Sequence, residues 1–383
     1  MTTLTGILEW PQRSDGRVRQ YVGDMLSTSS DDPVVPMQMG QSYPLRSGQE
    51  VTVEVVERGN GQNGQNGQQR GGNQGGRRIV DRVLSIEGME PLAYSQRKPF
   101  EELSSIDPQP RLVLEYPGCP ASCRLIDLFC PLGRGQRALI VAPPKAGKTV
   151  LLKDIAGAVH RNSPDVQIFA LLIDERPEEV TDFRRSVPAR VFASSNDHGV
   201  ERHIAVATQM MERGRRMVEA GKHVLILLDS LTRLGRAFNN SREHGNSGRT
   251  MSGGIDSKAL IVPKQVFGSA RNTEEAGSLT VVATCLVDTG SAGDQVIFEE
   301  FKGTGNMELV LDRKISERRQ FPAINLAASG TRKEHLLMGE AELKTVTALR
   351  RRLMNMPPPQ QIEQLLAALK RFPTNADLVG SAG

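Results

Sequence analysis

The densest chemistry in the chain lies in Val141-Ala-Pro-Pro-Lys-Ala-Gly-Lys-Thr149, which follows an apolar stretch and precedes helix-like residues. In that setting the backbone N–H groups of a tight turn cradle phosphate oxygens, and the dipole of the following helix adds attraction. Lys148 is placed to reach the β/γ oxygens of a nucleotide, and Thr149 to ligate Mg2+. Ala142 stands where the usual motif begins with Gly, so the match is to a shorter form. A second signal is His223-Val-Leu-Ile-Leu-Leu-Asp229-Ser230. An apolar strand ending in Asp delivers a carboxylate beside a phosphate loop, where Asp229 would hold Mg2+; the bland alternative is an Asp that caps the next helix. A third strand ends in Leu171-Leu-Ile-Asp-Glu175-Arg-Pro. Glu175 there is a general-base candidate for polarising water, and Asp174 is an equal alternative on spacing alone. Phosphoryl transfer also needs a cation at the transition state. Arg332, in Ser329-Gly-Thr-Arg, and the nearby Arg313, Arg318 and Arg319 are candidates that read equally well as surface arginines.

These residues need a sheet to bring them together. Apolar runs of strand length occur at 138–142, 168–173, 224–228 and 279–287, separated by helix-like segments such as 149–161 and 201–220. Continuous rather than alternating apolar strands argue for a mostly parallel sheet covered by helices on both faces, an α/β domain over about 126–383. Residues 340–354 and 360–372 are amphipathic, broken by Pro357-Pro-Pro359. Residues 1–90 read differently. Val51-Thr-Val-Glu-Val-Val-Glu57 and Ile79-Val-Asp-Arg-Val-Leu-Ser-Ile86 are β-rich runs of a small all-β region. Between them, 59–76 is almost wholly Gly, Asn and Gln and reads as a hairpin insertion; Arg70, Arg77 and Arg78 are of the kind that touch single-stranded nucleic acid, but a solvated loop of no function is the stronger reading. Residues 91–125 form a proline-rich connector.

Composition excludes several classes. In 383 residues, 48 Lys+Arg against 44 Asp+Glu leave +4, so a polybasic coat is excluded while a local basic groove is not. The basic residues are 36 Arg and 12 Lys, a bias toward bidentate phosphate contacts. Aromatics are 4%, which limits any site built on stacking. Cys119, Cys123, Cys130 and Cys285 make no disulfide framework, and their spacing lacks the fourth ligand of a zinc site. Without an apolar run of spanning length, a basic leader or a signal core, the chain is expected in the cytoplasm and off membranes.

Five ordered motifs identify a resemblance: residues 142–149, 171–180, 226–230, Glu299-Glu-Phe-Lys-Gly-Thr-Gly-Asn-Met-Glu-Leu309 and Ser329-Gly-Thr-Arg-Lys-Glu334. From about residue 91 to 350 the chain resembles the bacterial transcription termination factor Rho family. The resemblance implies a homohexameric ring of RecA-like P-loop ATPase domains, each with an N-terminal oligonucleotide-binding (OB, cold-shock-like) barrel. It implies an ATP- and Mg2+-dependent translocase and RNA–DNA helicase that moves along nascent RNA, with RNA polymerase as a further partner. Carried over by residue, Lys145, Ala146, Gly147, Lys148, Thr149 and Val150 bind the phosphates. Gly133, Arg134, Gly135, Gln136, Arg137, Ala138 and Arg176 match further nucleotide-binding positions. Glu175 matches the catalytic glutamate, Asp229 the magnesium ligand, Arg332 an arginine finger supplied by the neighbouring subunit, and Arg319 a second intersubunit arginine.

The resemblance also implies two pore loops that grip RNA. Arg249, Thr250, Met251, Ser252, Gly253 and Gly254 match the first, with Arg249 where Lys is common. Thr289–Asp294 match the second, with Ala292 where Lys is usual. Two departures stand out at the N-terminus. The family's helical subdomain has no counterpart, because Gly6-Ile-Leu-Glu9 already matches the first barrel strand. Arg17 and Arg19 replace the two phenylalanines on which the family stacks bases; Tyr21 is the nearest remaining platform. Base stacking contributes roughly 1–3 kcal/mol each, so selectivity for unpaired pyrimidines is expected to fall. A divergent relative that binds nucleic acid by charge, without a general termination role, is the alternative reading.

Overall fold

The computed structural model describes residues 1–11, 13–23, 25–58, 77–245 and 247–380, with the side chains of Met25 and Arg58 excepted. The insertion expected at 59–76, Arg70 included, lies outside the described residues. The chain divides into two compact units: Met1–Leu103 with Gln209–Ala220, and Ser104–Thr208 with Gly221–Gly383.

In the first unit, β1 (Thr2–Glu9), β2 (Gly16–Arg19), β3 (Val34–Val35), β4 (Glu50–Arg58) and β5 (Arg77–Ile86) close a barrel in the order β1-β2-β3-β5-β4. Alternation explains it. Val51, Val53 and Val55 point inward and are buried, while Thr52 and Glu54 between them are not. Trp10 fills one end, and a Cβ at Gly16 or Gly40 would collide with its ring. The stretch 209–220 packs with this barrel through charge. The buried carboxylate of Glu219 accepts two hydrogen bonds from Arg46 at 2.8 Å each, one from the Tyr94 hydroxyl at 2.7 Å and one from the Phe100 N–H at 2.7 Å. Arg213 likewise pairs with buried Glu87.

In the second unit, the strands β6 (Arg137–Ala142), β7 (Val166–Glu175), β8 (Arg190–Ser195), β9 (His223–Asp229), β10 (Ser278–Leu286), β11 (Met307–Val310) and β12 (Gly330–Thr331) run in the order β8-β7-β9-β10-β6-β11-β12. All neighbours along this path are parallel except the last pair. Each internal strand is predominantly apolar and buried because helices cover both faces. They include α1 (Ala121–Phe129), α2 (Lys148–Asn162), α3 (Pro177–Ser186), α4 (Val200–Glu219, whose residues from 209 belong to the first unit) and α5 (Leu231–Asn240). Then come α6 (Ala292–Lys302), α7 (Glu340–Leu353) and α8 (Pro358–Arg371). The last begins inside the proline triplet rather than after it, since proline is tolerated in a helix's first turn. Val346, Leu353, Ile362 and Leu365 are buried, so both terminal stripes are packing faces.

Replacing Glu219 by Ala leaves Arg46 and the Tyr94 hydroxyl without their buried partner. The barrel's unfolding transition in urea is expected to lose about 3–5 kcal/mol, while Glu54→Ala on the outer face changes it by less than about 0.5 kcal/mol.

Candidate functional site

Strand β6 ends at Ala142 and the chain turns through Pro143–Gly147 into α2. Lys145 at φ 65° and Gly147 at φ 95° take left-handed backbone, which curls successive N–H groups into a concave nest. Gly147 is the helix N-cap and supplies no side-chain acceptor. The first turn of a 15-residue helix is thus left for an anion.

Parallel register then places the acidic groups. Leu228 lies opposite Ala283, and Leu172 opposite Asp229, so β7, β9 and β10 end together beside the turn. The Lys148 ammonium sits 2.5 Å from Asp229 Oδ2 and 3.4 Å from Glu175 Oε1. Both carboxylates are buried, at 2% exposure each. The Thr284 hydroxyl donates to Asp229 Oδ1 at 2.7 Å. The helix-capping alternative for Asp229 is excluded, because the N-cap of α5 is Ser230, whose Oγ accepts from the Arg233 N–H. Geometry also separates the two acids on β7. The pairing of β7 with β8 slips between Ile173 and Glu175, and Asp174 adopts φ 56°. Such a bulge re-aims the next side chain. Glu175 turns to Lys148; Asp174 stays half-exposed and faces Arg233 at 3.5 Å.

Charge sharing follows. Burial and the Asp229 charge push the Glu175 carboxyl up to about 7, against the opposing pull of Lys148 and Arg233. Burial pulls Lys148 down, but the two carboxylates more than offset it and its pKa is raised. One Glu175 oxygen, Oε2, has no hydrogen-bond partner, although Arg233 stands 3.4 Å from it. An unsatisfied buried carboxylate oxygen is available to a water or a cation. Asp229 and the Thr149 hydroxyl are hard oxygen donors of the kind Mg2+ takes alongside phosphate, so the residues present fit that ion.

A cleft of about 480 Å³ adjoins the phosphate turn, walled by Ser122, Gly147, Val150, Asp154, Phe321 and Ala323. Phe321 is 45% exposed and its ring would lie 3.6 Å from a Cβ at Gly147. A large aromatic exposed over an apolar cleft is a platform for a nucleobase. Reading the sequence missed Phe321, Arg233 and Thr284; the only available signal was Phe321-Pro322 in a turn close to Arg319.

Other expected site residues lie elsewhere. Gly133–Ala138 enter β6 at its N-terminal end, roughly 16 Å of strand away from the phosphate turn. There Gln136 is buried and donates to Asn306, Arg134 pairs with Asp165, and Arg137 donates to the carbonyls of Thr304 and Ala270. Arg332 is at this same end: Met307 pairs with both Ala138 and Thr331, and the Arg332 charge lowers the pKa of Arg137 after burial. Arg319 is exposed, in a turn at φ 57°. Arg176 is exposed and loosely paired with Glu179 at 4.0 Å.

The two loops matched to RNA contact are brought together. Gly253 approaches so closely that a Cβ would stand 2.7 Å from the Ala292 backbone, at φ 72°. Helix α5 holds both. Asn239 accepts from Asp256 N–H at 2.7 Å and donates to Gly254 O, while Arg236 grips Asp294 at 2.8 and 2.5 Å. Arg249 is exposed, as are Thr250, Ser252, Gly253 and Gly254; Met251 is half-buried, its N–H donating to Ile255 O. In the barrel, Arg17 donates to Ser30 O and Asp32 O. Arg19, its side chain 13% exposed, pairs with Glu9 at 2.5 Å and Asp32 at 3.0 Å and donates to Ser29 O. Tyr21 lies in a short hairpin strand, Tyr21–Val22.

A lysine held between two buried carboxylates at the C-terminal edge of a parallel sheet, after a phosphate-binding turn, defines the class: a RecA-like P-loop ATPase fold carrying an OB-like barrel. The ATP synthase alpha/beta family nucleotide-binding domain matches residues 122–331. Among solved structures, a prototypical ATPase from the type III secretion system of pathogenic bacteria superposes with TM-score 0.60 at 21% identity, over 80% of this chain and 93% of that one. The ATPase EscN of enteropathogenic E. coli gives 0.57 at 23%, over 72% and 61%. These are likenesses of fold. In sequence, transcription termination factor Rho of Borreliella burgdorferi is 47% identical over 372 residues, 97% of this chain and 69% of its own. Rho of Streptomyces coelicolor is 45% identical over 372 residues, 97% and 84%. The chain belongs to the transcription termination factor Rho family. Among the described residues no helix is long and apolar enough to cross a membrane.

Arg233 lowers the Glu175 pKa, so removing it raises that pKa further. In Arg233→Ala the acidic limb of the ATPase pH–rate profile is expected to move to higher pH than in wild type, since more alkali is needed to ionise the base. An unmoved limb would show that Glu175 does not set it.

Proposed function

We propose that the chain is an RNA-stimulated ATPase that assembles as a homohexameric ring and moves along nascent RNA, terminating transcription with RNA–DNA unwinding. The observation that carries this reading is the Lys148–Glu175–Asp229 cluster beside a phosphate turn in a chain of the Rho family. ATP would lie with its phosphates on Lys145–Val150 and its base in the Phe321 cleft. Asp229 and Thr149 would hold Mg2+, which when bound neutralises phosphate charge. Glu175, ionised and aimed by the bulge at residue 174, orients and deprotonates the attacking water. Lys148 then exchanges its carboxylate partners for phosphate oxygens.

The position of Arg332 supports action between subunits. It sits at the N-terminal end of the strands, while Lys148 sits beyond the C-terminal end of β6, so it cannot serve its own site without moving across the sheet. A neighbouring copy supplies the missing cation. Helix α5 supports coupling between hydrolysis and RNA: Arg233 touches Glu175, and Arg236 and Asn239, three and six residues on, hold the two loops. A shift of charge at Glu175 therefore reaches both loops through one rigid element.

The barrel favours the second reading in one respect. The guanidinium groups of Arg17 and Arg19 are spent on Glu9, Asp32 and loop carbonyls, so the barrel binds RNA without base stacking at these positions. Pyrimidine-rich and purine-rich RNA are expected to compete about equally for binding; a strong pyrimidine preference would contradict this.

Glu175→Gln is expected to keep nucleotide binding while lowering turnover about 10²–10⁴-fold. Arg332→Ala should lose about 10³-fold or more. Mixing the two inactive chains should restore part of the RNA-stimulated ATPase, because an intact Glu175 site then meets an intact Arg332. No recovery on mixing would refute action in trans, and no stimulation of wild type by any RNA would refute the function itself.

A further inference from the structure

The run Glu299–Leu309 is one of the five ordered motifs, yet among the described residues it gives the Lys148–Glu175–Asp229 cluster no partner. Its residue Asn306 works at the opposite end of β6. There Asn306 Oδ1 accepts hydrogen bonds from Gln136 Nε2 at 2.7 Å and from the Arg137 N–H at 2.8 Å. The Asn306 main chain is engaged on both sides. Its N–H donates to the Arg137 carbonyl at 3.0 Å, and its carbonyl accepts from the Arg332 N–H at 2.9 Å and from Gln136 Nε2 at 3.2 Å. Gln136 is fully buried and is itself fixed, since its Oε1 accepts from the Gly133 N–H at 3.1 Å. One asparagine thus fastens residue 332 to the buried turn that opens β6.

The main chain around Arg332 is held and its charged head is not. Thr331, paired with Met307, donates its hydroxyl to the Pro131 carbonyl at 2.8 Å. Lys333 takes left-handed backbone at φ 55°, and its ammonium meets the Asp107 carboxylate at 2.9 and 3.0 Å. Arg332 between them is exposed at the rim of a cleft of about 560 Å³, and among the described residues no acceptor pairs with its guanidinium. These contacts aim the side chain from its base and leave its charge for something else. A long side chain carries any shift of its own main chain out to its head, and about 1 Å of misplacement can cost roughly 100-fold in rate.

We propose that Asn306 is the positioning residue of Arg332, fixing the main chain from which that guanidinium reaches the nucleotide of a neighbouring copy. The inference rests on the reading of Arg332 as a group that acts in trans, and mixed assemblies of the full chain separate the two. Asn306→Ala removes the amide acceptor and leaves Arg332 in place. Its RNA-stimulated kcat should fall about 10–100-fold, with KM for ATP within about twofold of wild type. Adding Asn306→Ala to Arg332→Ala should lower kcat no further, because two changes that act through one group do not add. Mixed with Glu175→Gln, Asn306→Ala should recover activity, since its intact Glu175 then meets a well-held Arg332. Mixed with Arg332→Ala it should not, since every junction then lacks a working finger. Gln136→Met fills the same space but cannot donate to Asn306; it should repeat this pattern and is the deciding variant if Asn306→Ala does not fold. Unchanged kcat in the folded variants overturns the proposal, as does an additive loss in the double variant or recovery in the mixture with Arg332→Ala. A raised KM with kcat kept also overturns it, the mark of a residue that serves its own copy's nucleotide. If Arg332→Ala keeps wild-type turnover, the reading in trans falls and the proposal with it; if Arg332→Ala is crippled while Asn306→Ala is not, only the role of Asn306 is lost.

Discussion

The second unit turns on an ammonium and two carboxylates held in one buried space. Asp229 and Glu175 come from adjacent strands and would repel each other strongly at low dielectric without Lys148 between them. The arrangement is also poised for exchange. Phosphate oxygens can take Lys148 from its carboxylates, a bound cation can take Asp229, and Glu175 is left facing water with a pKa near the working range. Such a cluster can redistribute its charges toward an incoming anion rather than having to create them.

Strand polarity divides the labour around that cluster. Lys148, Glu175 and Asp229 gather at the C-terminal ends of the parallel strands. Arg332, Arg137 and the Gly133–Gln136 turn gather at the N-terminal end of β6, where their hydrogen bonds tie the turn to Asn306, Thr304 and Ala270. Arg332 and Lys148 thus stand at opposite ends of the sheet within one copy. Helix α5 adds a second division along its own length, with Arg233 beside Glu175 at its start and the two loops held at its end.

The barrel shows a different economy. At the two positions where the family resemblance led phenylalanines to be expected, its arginines pair with Glu9 and Asp32 and with loop carbonyls. Those contacts tie the segment at 29–32 to the barrel strand that carries Arg17 and Arg19.

Much of this was legible without coordinates. The apolar runs gave the parallel sheet, alternation gave the barrel strands, and the motif at 142–149 gave the phosphate turn, because each depends on local periodicity or on backbone geometry set by a few adjacent residues. Asp229 and Glu175 could be nominated because strand ends deliver side chains to a sheet edge. The choice of Glu175 over Asp174 on physical grounds needed the bulge at residue 174, a property of the pairing with β8. The approach of Phe321 to Gly147, the clamp of Arg236 on Asp294 and the engagement of Arg17 and Arg19 all join residues separated in the chain, and no local pattern records them. Sequence determined which groups are present and which strand ends carry them; the tertiary structure decided which of them meet, since only register, strand polarity and helix packing bring distant side chains within hydrogen-bonding distance.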